Sequence, residues 1–144
     1  MPLIYLNYPV NTLSLEARDK LAEELTIIGL DCENLPATPF IRSTVWLYFN
    51  EFPSSHVYHN GRPGGTPVIS LEVNVFAGGL DESAKRMLFE RFTRAIRQHT
   101  DLTIGAGAPV YIVVRDVPPA NFGVSGGTTT LDALRHSDPG TPEF

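Results

Sequence analysis

Residues 45–61 read VWLYFNEFPSSHVYHNG, and residues 110–126 read VYIVVRDVPPANFGVSG. At an offset of about 65 residues, Val45 falls on Val110, Trp46 on Tyr111, Glu51 on Asp116, Pro53 on Pro118, His56 on Asn121 and Gly61 on Gly126. Each stretch begins as an alternating apolar strand and ends in turn chemistry, as a strand that closes in a hairpin does. The same offset puts Pro2 on Pro67 and Leu3 on Val68 without a gap. Prolines, acids and glycines recurring at one spacing mark an internal repeat.

Working outward, PLIYLNYP (2–9) reads as a strand. SLEARDKLAEELTIIGL (14–30) reads as a helix with Ser14 at its N-cap, an apolar stripe of Leu15, Leu21, Leu25 and Ile28, and Gly29 as its stop. ENLPATPF (33–40) leads Arg42, a solvated residue, into the strand STVWLYFNEF (43–52). The second half repeats the order. TPVISLEVNVF (66–76) is a strand, and 81–99 is a helix capped by Asp81 with Met87, Phe89, Phe92 and Ile96 on its stripe. APVYIVVRDV (108–117) is the last long strand. Beyond Thr128 comes one short helical possibility, TLDALR, and then a frayed tail.

The pattern predicts an α+β domain over residues 1–144, made of two tandem β-α-β units, a pseudo-repeat over 2–61 and 67–126 with 128–144 as a tail. Right-handed crossovers lay both helices on one face of a shared sheet. Alternation sends Val45, Leu47, Phe49, Val110, Ile112 and Val114 towards the helices. Trp46, Tyr48, Asn50, Tyr111, Val113 and Arg115 take the other face. That face is too apolar for plain solvent and too polar for a core, which points to a subunit interface carrying ligand sites.

Composition narrows the function classes. Hydrophobic residues make up 42% and charged residues 19%, ordinary for a globular domain of 144 residues. The net charge of −5 comes without a Lys/Arg cluster, which argues against a nucleic-acid surface. Apolar runs are only strand-length and the start lacks a signal-peptide pattern, so neither a membrane span nor secretion is expected. With one cysteine, Cys32, no internal disulfide and no Cys/His metal cluster can form. A cytoplasmic protein is the expectation.

MPLIYLNYP, the tandem units and PVYIVVRDVPPANFGVSGGTTT together resemble the tautomerase superfamily across nearly the whole chain. The hairpin is similar to those of the 4-oxalocrotonate tautomerase and macrophage migration inhibitory factor groups. The resemblance implies a homotrimer with inward-packed sheets and no cofactor. It also implies that Pro2, once Met1 is removed, is the general base for enol–keto conversion of a small carboxylate-bearing enol. Tyr111 and Phe122 then match pocket aromatics. Trp46 and Arg115 are further substrate-binding candidates, Trp46 as an interface anchor first and a pocket wall second, Arg115 as either a substrate-carboxylate anchor or an intersubunit ion pair. The chain departs from the family in having no arginine near Thr12, and Val113 stands where a pocket asparagine is expected. The arginine pair and hairpin glutamate of the dehalogenases are missing, and so is the arginine pair of the decarboxylases, which makes those activities lesser alternatives. If Met1 stays on, Pro2 is an ordinary amide, and a non-catalytic binding or structural trimer is the second reading. His56, His59 and Arg62 read as hairpin residues, Asn60 and Asn121 as turn residues, and Cys32 as an inert half-buried thiol.

Overall fold

The computed structural model describes residues 2–64, 68–100 and 109–144. In chain order it forms β1 (Leu3–Pro9), α1 (Leu15–Cys32), a short α2 (Pro39–Ser43) and β2 (Trp46–Phe52), followed by β3 (Tyr58–His59) and β4 (Arg62–Pro63). The second half forms β5 (Ile69–Phe76), α3 (Glu82–His99), β6 (Val110–Val117), β7 (Gly123–Val124), β8 (Gly127–Thr128) and a short α4 (Leu131–Arg135).

The long strands make one mixed sheet in the order β2-β1-β5-β6. Within each half the strands are parallel, β1 with β2 and β5 with β6, and the halves meet through antiparallel β1 and β5. Each parallel pair with its helix is one β-α-β unit, so the architecture is the α+β arrangement expected. Pro67, the predicted counterpart of Pro2, lies outside the described residues. Helices α1 and α3 cover one sheet face. Leu21, Leu25 and Ile28 of α1 and Leu88, Phe92 and Ile96 of α3 close over Ile4, Leu6, Leu71 and Val73, with Leu47, Phe49, Ile112 and Val114 at the flanks. Burying such a side chain contributes about 1.5–3 kcal/mol, so this layer is the main cohesive element of the domain.

The helix starts were legible. Ser14 accepts from the Ala17 N–H at 3.1 Å and Asp81 accepts from the Ala84 N–H at 2.7 Å. Their stripes need correcting. Leu15 and Met87 are exposed, while Leu88 and Ala95 are buried. Gly29 does not stop α1. The helix runs on to Cys32, and the chain turns out at Asn34, whose φ is +53°. There the Leu35 N–H bonds Leu30 O at 2.9 Å and the Asn34 N–H bonds Asp31 O at 3.0 Å, a Schellman closure with Leu30 and Leu35 in one apolar cluster.

Arg42 lies in α2, not at the entry of a strand, and grips both carboxylate oxygens of Glu23 at 2.7 and 2.8 Å. The hairpins form as read. Asn60–Gly61 and Ser125–Gly126 both have two successive positive φ angles, the primed turn that suits strand twist. Asn121 instead closes a 3-10 turn, Pro119–Asn121, matched by Ser54–His56 in the first unit. The tail is docked rather than frayed. Leu134 is buried, the Phe144 ring stacks on Phe40 at 5.8 Å, and the Phe144 N–H donates to Ser43 Oγ at 3.0 Å.

Candidate functional site

β1 starts at the helix-covered side of the sheet. Pro2 shares the parity of Ile4 and Leu6, and it is buried. Its ring rests on α1 at Gly29, where a Cβ would stand 3.0 Å from Pro2 Cγ. Its carbonyl accepts from the Trp46 N–H at 3.2 Å, tying the start of β1 to the start of β2. Gly29 is therefore needed for close approach, which explains a glycine inside a helix where it costs about 1 kcal/mol relative to alanine.

Beside this junction lies a cavity of about 300 Å³ lined by Leu3, Thr44, Trp46, Phe122, Gly123, Val124, Ser125 and Phe144. The hairpin of the second unit thus folds over the start of the first. Phe122 is fixed by ring contact with Phe76 at 4.8 Å, and the β7–β8 turn brings Val124 and Ser125 to the opening. Among the described lining residues no side chain is cationic. A larger groove of about 730 Å³ runs between α1 and α3, and most of its charged walls are engaged: Lys20 with Glu16, Glu23 with Arg42, Glu24 with His99, and Arg91 with Asp31.

Strand register orders the open sheet face. Trp46, Leu3, Asn74 and Arg115 form one row across the four strands, then Tyr48, Tyr5, Glu72 and Val113, then Asn50, Asn7, Ser70 and Tyr111. Tyr5 and Tyr48 stack at 5.1 Å, and Trp46, Tyr48, Tyr111 and Val113 are exposed. The predicted aromatic face therefore exists in one chain.

Of the predicted site residues, Trp46 and Phe122 meet at the cavity next to Pro2. Arg115 shares Trp46's row but stands three strands away, about 14 Å at ordinary strand spacing. Its Nη2 donates to Glu72 Oε1 at 3.2 Å within the same chain. Tyr111 lies at the opposite end of the sheet, holding in the second unit the place Trp46 holds in the first. Antiparallel joining of the units causes this: equivalent ends point in opposite directions.

Four further residues bear on chemistry. His56 and His59 are exposed on the first hairpin, with His59 opposite Arg62. Cys32 is buried more fully than expected, and burial pushes its thiol up from the ordinary value, which leaves it unreactive. Sequence reasoning passed over Glu33, which closes α1 and is completely buried. A glutamate at the end of an amphipathic helix reads as solvated, and only the packing of α4 and the Gly79 turn over it reveals otherwise.

Neither a protein-family model nor a curated protein matches the chain in sequence. Solved structures do match in fold. A fused 4-OT solved as a symmetric trimer is 20% identical with a TM-score of 0.72, over 87% of this chain and 93% of that one. A member of the cis-3-chloroacrylic acid dehalogenase family is 19% identical with a TM-score of 0.73, over 89% and 83%. The macrophage migration inhibitory factor of Toxoplasma gondii is 15% identical with a TM-score of 0.67, over 88% and 99%. The chain has the fold that its resemblance to the tautomerase superfamily implied.

Proposed function

We propose that the protein is a tautomerase in which Pro2, exposed as the first residue by loss of Met1, is the general base. One observation carries this reading: Pro2 is buried at the start of β1, hydrogen-bonded to Trp46, beside an apolar cavity walled by Trp46 and Phe122. A secondary amine in such surroundings loses hydration that favours its ammonium form, which draws its pKa down from the α-amino range of about 8 towards neutrality. It then takes a proton from one carbon or oxygen of an enol and returns it to another, general acid–base work. The substrate class is a small carboxylate-bearing enol such as phenylpyruvate or 2-hydroxymuconate.

The working form is a homotrimer. The open face with Trp46, Tyr48, Tyr111 and Val113 supports assembly, and the fused 4-OT relative was solved as a trimer. Arg115 and Tyr111 reach a Pro2 cavity only from a neighbouring copy, because their own cavity lies too far across the sheet. The protein works in the cytoplasm without a cofactor.

One observation favours the second reading, a binding trimer without catalysis: the cavity's described walls hold no cation to grip a carboxylate. Enol–keto conversion followed spectrophotometrically separates the two. Turnover that depends on Pro2 supports the tautomerase; binding of the enol without turnover supports the binding trimer.

A further inference from the structure

We infer that Glu33 is the positioning partner of the Pro2 amine, a buried carboxylate that keeps this amine basic enough to carry a proton. The inference rests on the proposed role of Pro2 and deepens it.

Two independent lines of geometry converge on this pairing. Glu33 follows Gly29 by one helical turn, and its N–H bonds Gly29 O at 3.1 Å, so both residues project from the same face of α1. Gly29 is where the Pro2 ring rests. The second line comes through the sheet. Leu3, the residue that follows Pro2, pairs with Asn74 at the end of the antiparallel β1–β5 register, two residues before Phe76. Phe76 O and Glu33 Oε1 both come within 3.0 Å of the Cβ that Gly79 lacks. Gly79 thus leaves room for the carboxylate at the same end of β5 that flanks the chain start.

From α4, Arg135 Nη2 donates to the backbone carbonyl of Glu33 at 2.7 Å. On α1 itself, Cys32 holds its proton and Asp31 pairs with Arg91 of α3. The turn after β5 and the start of α4 offer Phe76, Gly79 and Leu131, none of which titrates. Pro2 meets Gly29 and the Trp46 N–H.

The chemistry follows from opposing effects. Burial alone drives an amine down by up to several units, leaving a base too weak to capture a proton from carbon. A carboxylate nearby favours the ammonium and restores part of that loss. Proton capture and return both need a value near the working pH, and Glu33 tunes Pro2 towards it.

The test uses full-length protein with Pro2 as its first residue. Titration is followed by the ¹⁵N resonance of Pro2 and the ¹³Cδ resonance of Glu33. Expected is one inflection shared by both nuclei, with the Pro2 midpoint lowered by about one unit or more in Glu33→Gln and close to wild type in Glu33→Asp. The acid limb of the pH–rate profile should move in the same direction. The wild-type titration decides the question even if Glu33→Gln fails to fold. Absence of a shared inflection, or an unchanged Pro2 midpoint in folded Glu33→Gln, overturns the inference. If the inflection is shared but the protein lacks tautomerase activity, the pairing stands and the catalytic reading of Pro2 fails.

Discussion

The ring of Pro2 lies directly on the backbone of Gly29, so closely that a methyl group there would stand 3.0 Å from Pro2 Cγ. One glycine in α1 thereby sets how deeply the chain start seats. Gly29→Ala gains about 1 kcal/mol of helix propensity but pushes the Pro2 ring out of place. Pro2, just ahead of β1, yields more readily than a helix, so thermal stability should hold while tautomerase kcat falls at least tenfold. Equal kcat for both proteins would show that the seating of Pro2 is irrelevant.

Val113 stands in the middle row of the open face, exposed and away from the cavity. In a trimer that buries this face, Val113→Asp leaves an unpaired carboxylate in the interface, which costs several kcal/mol in rough terms. Sedimentation should show a trimer for wild type and a folded monomer for the variant. A monomeric wild type at micromolar concentration contradicts the assembly.

Arg115 and Glu72 form an exposed ion pair, and such pairs contribute at most about 1 kcal/mol. Arg115→Ala should therefore leave the melting temperature nearly unchanged. If Arg115 of a neighbouring copy grips the substrate carboxylate, KM rises roughly ten- to a hundredfold, as loss of a charge-assisted hydrogen bond does. An unchanged KM with a weakened assembly would assign Arg115 to the interface alone.

Cys32 offers a stability probe. Because burial holds it as the neutral thiol, a thiol reagent at pH 7 should modify native protein only as fast as it unfolds, and denatured protein at once. Rapid stoichiometric labelling of native protein would place Cys32 at the surface.

Features with a fixed period or a local rule were legible in the sequence. The repeat fixed both β-α-β units, their hairpins and the direction of each strand residue, and Ser14 and Asp81 announced their helices through capping. Tertiary packing overrode local rules elsewhere. Gly29 has the look of a helix stop, yet it serves the approach of Pro2, and Asn34 takes the left-handed position instead. Met87 and Leu88 differ by one position on α3, and only the angle at which that helix meets the sheet decides which is buried. Phe144 docks on Phe40 by a contact across the chain that no local pattern encodes. Trp46 and Phe122, singled out by alternation and by resemblance, both line the cavity beside the chain start. Their separation from Arg115 and Tyr111 follows from the antiparallel β1–β5 joint, which the repeat alone does not reveal. Glu33 stayed hidden because burial of a charged residue is set by what packs on it.

The central claim is that Pro2 acts as a base through a free terminal nitrogen. With Met1 attached that nitrogen is an amide without basicity; with Met1 removed it is a secondary amine. The decisive measurement is the rate of phenylpyruvate or 2-hydroxymuconate enol–keto conversion by the two forms at equal concentration, their identities checked by intact mass. Placement of a general base contributes typically 10²–10⁴-fold, so the form beginning with Pro2 should be faster by about that factor. Equal rates for the two forms would contradict proline catalysis.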